Sequence, residues 1–186
     1  MTIPDLLDDA AEDASLVARW QAGDERAATQ LVERHATALA RFASSLGVRD
    51  GIDELVQDTF VRAFGALDGF RAESTLRTWL FTIERRLVLD RRRTDRRAAP
   101  VVEVNEQDAY TEFDALDGMV ATETEVQVRL AIGRLTRLQR EVFLLRVQEG
   151  RSYKEIAEIV GSTEGATRVH YHTAMKAVKE SLHAEG

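Results

Sequence analysis

Apolar residues recur at helical spacing through most of the chain. The clearest stripe follows the pattern i, i+3, i+4, i+7, i+8, i+11 and i+12, and its members are Ile52, Leu55, Val56, Thr59, Phe60, Ala63 and Phe64. Related patterns predict helices over residues 16–22, 25–46, 53–64 and 74–93, with glycines between them and Ser74 as the cap of the fourth. No segment alternates with period two for long enough to predict a strand.

A second group of helices is predicted over residues 125–136, 137–148, 152–160 and 163–182. Ser152 and Glu155 have the spacing of a capping box, so a helix begins there. Gly161 ends that short helix and permits the positive φ of a tight turn, and Thr163 can cap the longer helix that follows. This layout is typical of a helix-turn-helix, although an αα-corner that binds no DNA has the same outline.

A stretch without sustained periodicity separates the two groups. It contains Pro100 and is long for a loop inside one compact domain, so it predicts a flexible acidic linker. The expected architecture is all-α, with an acidic tail over 1–15, a helical domain over 16–97, the linker over 98–124 and a second helical domain over 125–186. The linker carboxylates either imitate nucleic acid in a basic channel or only keep the linker solvated, and the candidates are Asp108, Glu112, Asp114 and Asp117.

Charge is distributed in blocks along the 186 residues, whose formal net charge is −7. Residues 75–97 carry eight arginines against three acids, whereas residues 98–125 carry eight acids and no base. Local patches of this kind can bind a polyanion whatever the net charge, although an arginine-rich run can also be a solvated helix face. The acidic start and the lack of a long apolar run predict a cytoplasmic protein without membrane insertion.

Two sets of side chains are candidates for nucleic-acid binding. If the helix-turn-helix reads DNA, the exposed face of its second helix enters the major groove, with Arg168 as the best candidate and Glu164, His172 and Lys176 beside it. The aromatic and arginine side chains between Phe70 and Arg97 suit unpaired bases and their phosphates. Trp79 can serve either that surface or the core.

Four segments together resemble an extracytoplasmic-function (ECF) sigma factor of the bacterial sigma-70 family: residues 53–64, 70–90, 135–146 and 152–161. The resemblance covers both predicted domains in order, and it implies sigma region 2 over 16–97 and sigma region 4 over 125–186. It also implies a specificity subunit of RNA polymerase whose partners are core RNA polymerase (through the β′ clamp coiled coil and the β flap), promoter DNA and an anti-sigma factor.

The resemblance assigns roles to three sets of residues. Docking on core polymerase falls to the acidic face of the third helix, Asp53, Glu54, Gln57 and Asp58. Recognition and melting of the minus-ten region falls to Ser74, Thr75, Arg77, Trp79, Arg85, Arg86, Arg91, Arg92 and Arg93. Recognition of the minus-thirty-five element falls to Thr163, Glu164, Arg168, His170, His172 and Lys176.

The second domain departs from the family pattern at Ser162, Thr167, His170 and Thr173. Relatives tend to have apolar or basic residues at these places, so the base preference of this recognition helix is open. A polar Thr167 or Ser162 either weakens the packing or is satisfied by a backbone carbonyl, and His170 can act as a neutral base reader instead of a phosphate clamp. In the first domain Arg86 stands near a position where relatives often have Asn.

Catalytic and metal-binding patterns are missing from the sequence. With no cysteine there is neither a disulfide nor a thiolate zinc site, and His170 and His172 point away from each other on a helix. We therefore expect no cofactor, no metal and no enzymatic activity. The alternative function is a stand-alone helix-turn-helix regulator, for which the acidic third helix and the arginine-rich fourth helix would have no use.

Overall fold

The computed structural model describes residues 3–70, 74–98 and 123–183. Apart from one short 3₁₀ helix (Leu67–Gly69), the secondary structure in these ranges is α-helical, as the sequence predicts. The helices are α1 (Ile3–Gln21), α2 (Glu25–Ser45), α3 (Ile52–Ala66), α4 (Leu76–Ala98), α5 (Glu123–Gly133), α6 (Arg137–Val147), α7 (Tyr153–Val160) and α8 (Glu164–His183). Residues 99–122, with nearly all of the predicted linker and its four candidate carboxylates, lie outside the described residues.

The helices α1 to α4 form an N-terminal bundle. In it α4 packs against α2 and α3, and α1 lies along α2. The apolar stripe predicted for α3 faces inward, since Leu55, Val56 and Phe60 are buried. The fully buried ring of Phe81 on α4 lies 4.8 Å from that of Phe42 on α2. This core holds the exposed faces of α3 and α4 in a fixed relation.

The first helix is longer than the sequence pattern indicates. We expected it to begin at Leu16 after an acidic tail, but α1 begins at Ile3. Three of its acidic residues have partners on α2: Arg34 pairs with Asp9, Glu12 and Asp13, and the His35 Nε2 lies 3.0 Å from an oxygen of Asp13. Three carboxylates of the predicted acidic tail thus lie in a helix and pair with residues elsewhere in the bundle.

The helices α5 to α8 form a C-terminal bundle in which α8 packs against α5, α6 and α7. Its own core includes Leu135, Phe143, Leu144, Ala174 and Val178. Capping boxes start α6 at Thr136 and α7 at Ser152, each with a reciprocal bond from the residue three positions on.

The two bundles are in contact. Helix α7 packs on α4, and α6 packs on α2. Buried apolar residues of the C-terminal bundle, among them Val142, Leu145, Ile156 and Ile159, belong to the same cluster of side chains as the core of the N-terminal bundle. The linker composition predicted two domains joined flexibly, and it contained no sign of this packing.

Candidate nucleic-acid interface

The C-terminal bundle contains the predicted helix-turn-helix. The Ser152 hydroxyl accepts from the backbone N–H of Glu155, the Glu155 carboxylate accepts from the N–H of Ser152, and the predicted capping box is confirmed. Gly161 has a φ of 68°, which turns the chain between α7 and α8. The Thr163 hydroxyl accepts from the N–H of Ala166 at 3.2 Å, so the predicted cap of α8 is also confirmed.

The outer face of α8 is open to solvent. Glu164, Arg168, His172 and Lys176 are exposed there, one helical turn apart. The guanidinium of Arg168 lies 4.7 Å from the ring centroid of Tyr153 and also pairs with Glu164. Arg168 is therefore oriented by an aromatic face and partly neutralised by a carboxylate before any DNA arrives. His170 is half-buried, on a different side of the helix.

The unusual threonine at the start of α8 is accommodated by a local hydrogen bond. Thr167 is fully buried, and its hydroxyl donates to the carbonyl of Thr163 at 2.9 Å. Of the two alternatives for Thr167, the structure therefore supports satisfaction by a backbone carbonyl. Ser162 and Thr173 are exposed, so neither polar side chain disturbs the packing of the helix-turn-helix.

Sequence reasoning missed Val169. Its side chain is 64% exposed on α8 between Arg168 and the turn that carries His172 and Thr173. An exposed valine on a face that can enter the major groove offers apolar contact to a thymine methyl group. The signal in the sequence was its position, since residues 165, 169, 172 and 176 share one helical face.

The predicted acidic face lies on α3. Asp53, Glu54, Gln57 and Asp58 are all exposed and lie on the side of α3 that faces away from the core. Asp58 also pairs with Arg91 of α4 at 2.9 Å. The three carboxylates and the Gln57 amide share an exposed face of α3 that a basic partner can reach.

Five of the predicted minus-ten residues remain on the N-terminal bundle's own surface. Arg86 and Arg93 are exposed on α4, and Arg93 lies 3.5 Å from Asp90 of the same helix. Arg91 pairs with Asp58, and Arg92 donates to the carbonyl of Leu46. Trp79 is half-buried, with its ring 5.1 Å from that of Phe70, so it packs against the core and is partly exposed.

The other four predicted minus-ten residues face the C-terminal bundle. Arg77 pairs with Glu149 at 2.7 Å, and Arg85 pairs with Glu141 at 2.8 Å. The Ser74 hydroxyl donates to Glu158 at 2.8 Å, and that of Thr75 lies 3.4 Å from an oxygen of Glu155. Each of these side chains meets a carboxylate of α6, of α7 or of the turn between them.

The cap of α4 differs from the prediction. Ser74 was expected to cap this helix, but the hydroxyl of Thr75 accepts from the backbone N–H of Thr78 at 3.2 Å. The N–H of Trp79 bonds to the carbonyl of Thr75, which identifies Thr75 as the residue before the first turn. Ser74 is thereby left to bond Glu158 across the boundary between the bundles.

The charged groups at this boundary are partly desolvated. Burial lowers the pKa of the Arg77 guanidinium, and the Glu149 carboxylate opposes that shift, so Arg77 stays charged. Burial alone would raise the pKa of Glu155. Hydrogen bonds from Ser152 and Thr78 and the charge of Arg151 outweigh it, and the pKa lies below its usual value. Ionised groups of both signs therefore meet here.

Within the described ranges, no cluster of three or more histidine, aspartate or glutamate residues is arranged to hold a metal ion. None of the described helices is long and apolar enough to cross a bilayer.

Two family models match the chain, Sigma-70 region 2 over residues 31–98 and Sigma-70, region 4 over residues 125–178. The chain is 32% identical over 167 residues to RNA polymerase sigma factor NccH of Alcaligenes xylosoxydans xylosoxydans, with 85% of this chain and 88% of NccH covered. It is 33% identical over 153 residues to ECF RNA polymerase sigma factor SigC of Mycobacterium tuberculosis, with 78% of each covered.

Solved structures agree with the sequence relatives. CnrH, in complex with the cytosolic domain of CnrY, matches with a TM-score of 0.67 at 30% identity, covering 94% of this chain and 99% of CnrH. The sigma factor RpoE, in complex with the anti-sigma factor NepR from Bartonella quintana, matches with a TM-score of 0.64 at 26% identity, covering 85% and 98%.

Proposed function

The chain belongs to the ECF sigma factors of the bacterial sigma-70 family, which direct RNA polymerase to specific promoters, and we propose how its surfaces divide that work. A sigma factor is a specificity subunit and not an enzyme, because the polymerase supplies the catalysis. The proposal rests on the observation that the same chain exposes the acidic face of α3 and the face of α8 that carries Arg168, which we call the reading face.

We assign polymerase docking to Asp53, Glu54, Gln57 and Asp58. An exposed carboxylate surface on a rigid helix suits a basic partner and steers its approach over several ångströms. The partner element on the core enzyme is the β′ clamp coiled coil. The C-terminal bundle contacts the β flap, and the protein works in the bacterial cytoplasm, where the polymerase is.

The arginine-rich side of α4 and its N-terminal segment recognise and open the minus-ten region. Opened DNA offers base faces to the exposed part of Trp79, while Arg85, Arg86 and Arg93 reach phosphates. Ser74, Thr75, Arg77, Arg91 and Arg92 complete this surface. Arg86 and Arg93 are the two members that already face solvent.

The exposed face of α8 reads the minus-thirty-five duplex. Arg168 is the principal contact, His172 and Lys176 extend it along the groove, and Val169 adds an apolar contact. Thr163 and Glu164 lie at the edge of this surface, and His170, half-buried on a different side of α8, is its least accessible member. An anti-sigma factor regulates the protein, as the complex of the similar factor RpoE with NepR suggests.

Binding to core RNA polymerase, followed by transcription from a library of genomic fragments, tests this function. We expect stable binding and new, discrete start sites that depend on the protein. The double variant Asp53→Lys, Asp58→Lys should lose binding, whereas Glu25→Lys, Glu33→Lys, with the same charge change at exposed positions of α2, should keep it. Binding of duplex DNA without binding of core would instead support the stand-alone regulator.

A further inference from the structure

Three aromatic rings connect the core of the C-terminal bundle to the reading face of α8. We call them the aromatic ladder: Phe143 on α6, Tyr171 on α8 and Tyr153 on α7. Phe143 is buried, and its ring stacks on that of Tyr171 with the centroids 6.2 Å apart. The ring of Tyr171 meets that of Tyr153 in a T-shaped arrangement at 5.8 Å. The outermost ring, that of Tyr153, is therefore anchored to the buried core.

Tyr171 joins two buried clusters. It is half-buried and packs against both groups of buried apolar side chains in the described residues. Its ring also lies 5.8 Å from that of His172, again in a T-shaped arrangement. A ring that is packed on several sides is a rigid support, so Tyr171 can orient both Tyr153 and His172.

Tyr153 carries two guanidinium groups. That of Arg146 lies 4.9 Å from the ring centroid, and that of Arg168 lies 4.7 Å from it. The attraction between a guanidinium and the face of an aromatic ring depends on their geometry. Arg146 is itself fixed, since its Nη1 donates to the carbonyl of Arg151 at 2.8 Å. Tyr153 is thus held by Tyr171 and Arg146, and it in turn restrains Arg168.

Arg168 and His172 lie one turn apart on the reading face, and each contacts a ring of the aromatic ladder. We infer that Tyr153 and Tyr171 are positioning residues for minus-thirty-five recognition, which orient the side chains of Arg168 and His172 before duplex DNA binds. This inference rests on the minus-thirty-five role proposed above. Tyr153 acts through Arg168, and Tyr171 acts through Tyr153 and His172.

Orienting a side chain in advance reduces the entropy that is lost on binding. A guanidinium held over a ring has already given up part of its rotamer freedom. Unlike Glu164, which pairs with the same guanidinium, an aromatic ring offers no carboxylate to repel phosphate. The family resemblance leads us to expect basic residues at positions 170 and 173, where this helix has His170 and Thr173. With fewer cations to attract phosphate, the orientation of Arg168 contributes a larger share of affinity and base discrimination.

The affinity of the full chain for duplex DNA tests this inference. The probe is a short fluorescent duplex with the minus-thirty-five element of a promoter mapped in the transcription experiment above. Tyr153→Leu should weaken binding by roughly three- to tenfold, because Arg168 loses its aromatic support. Tyr153→Phe keeps the aromatic face and should bind within about twofold of the wild type. The matched control Phe64→Leu removes a half-buried ring of the N-terminal bundle and should leave the affinity unchanged.

Repeating the substitution without Arg168 distinguishes positioning from a purely structural role. In an Arg168→Ala background, Tyr153→Leu should change the affinity by less than about twofold, because the guanidinium through which Tyr153 acts is gone. Tyr171→Leu should likewise lose its effect when Arg168 and His172 are both replaced by alanine. A loss of equal size in both backgrounds would mean that the rings support only the fold of the helix-turn-helix, and it would overturn the inference.

Proton NMR of the free protein observes the orientation of Arg168 directly. The ring current of Tyr153 should shift the δ-methylene protons of Arg168 upfield in the wild type, in Tyr153→Phe and in the control Phe64→Leu. These protons should return to their ordinary position in Tyr153→Leu. Ordinary chemical shifts in the wild type would overturn the inference even if the affinities followed the expected order.

The affinities also separate this inference from the role on which it rests. If Arg168→Ala binds the duplex as tightly as the wild type, the minus-thirty-five assignment of α8 is wrong, and positioning for it is wrong as well. If Arg168→Ala binds weakly while Tyr153→Leu binds normally, the assignment of α8 stands and only the positioning role is overturned.

Discussion

Arg91 on α4 and Asp58 on α3 connect two proposed functional surfaces, because the Nη2 of Arg91 lies 2.9 Å from Asp58 Oδ2. Asp58 belongs to the polymerase-docking face, and Arg91 belongs to the minus-ten surface. Both side chains are partly exposed, and such pairs contribute only about 0.2–1 kcal/mol. A basic polymerase element that pairs with Asp58 will therefore free Arg91 at little energetic cost.

The Asp58 and Arg91 pair predicts different results for two neighbouring substitutions. Asp53→Asn and Asp58→Asn should both weaken core binding, since each removes a carboxylate from the docking face. Only Asp58→Asn should also raise the affinity of the free chain for single-stranded DNA, by less than about fivefold, because it frees Arg91. Titration with core polymerase and with an oligonucleotide measures both effects. Equal DNA affinities for the two variants would contradict a coupling between the surfaces.

Glu84 predicts an unusual dependence of stability on pH. It is fully buried on α4, neither of its oxygens has a hydrogen-bond partner among the described residues, and burial raises its pKa to about 9. The folded protein thus keeps a proton that the unfolded chain releases above its ordinary value of 4.5. The stabilisation contributed by protonated Glu84 is fully present below pH 4.5, and it is lost as the pH rises towards 9.

The variant Glu84→Gln stays neutral at every pH and should remove this dependence. We compare the free energy of unfolding of Glu84→Gln with that of the wild type. The difference in favour of the variant should increase by about 1.4 kcal/mol for each pH unit between pH 5 and 8. Urea unfolding at several pH values measures it. The exposed carboxylate of Glu180 provides the control, since Glu180→Gln should show a constant difference. A constant difference for Glu84→Gln as well would mean that the carboxyl is ionised in the fold.

The pair of Arg168 and Glu164 predicts that substitutions at these two residues change the affinity for duplex DNA in opposite directions. Arg168→Ala should weaken binding to minus-thirty-five DNA by about 1–3 kcal/mol if the guanidinium contacts a base. Glu164→Gln should strengthen it, because the carboxylate that pairs with Arg168 also repels phosphate. Measuring the affinity of Arg168→Ala at several salt concentrations distinguishes a base contact from a phosphate contact. Loss of a phosphate contact reduces the slope of log affinity against log salt by about one. Weaker binding by Glu164→Gln would indicate that Glu164 itself contacts a base.

The cap of α4 predicts that two adjacent hydroxyls, those of Ser74 and Thr75, contribute differently to the stability of the protein. Thr75→Ala should destabilise the protein by about 1 kcal/mol, because the N–H of Thr78 loses its acceptor. Ser74→Ala removes only an exposed hydrogen bond to Glu158 and should change stability by less than about 0.5 kcal/mol. Thermal unfolding of the two variants compares them. A larger loss for Ser74→Ala would restore it as the cap.

The local features of the second domain were predictable because short-range rules govern them. A serine three residues before a glutamate, a glycine after a short helix and a threonine before the next helix form a capping box, a left-handed turn and a cap in the structure. The apolar stripe of α3 was equally clear, because each of its buried residues follows the helical period. Val169 was missed, although it shares a helical face with His172 and Lys176, because valine is usually a buried residue.

What the sequence determined by itself was the set of helices from Glu25 onwards, the caps of α7 and α8, and the family. What only the tertiary structure decided was the pairing of charges over long separations. Arg34 on α2 pairs with Asp9, Glu12 and Asp13 of α1, and Glu149 pairs with Arg77 of α4. Helical periodicity acts over a few residues, whereas an ion pair depends only on distance in space, so charges far apart in sequence meet only once the fold exists.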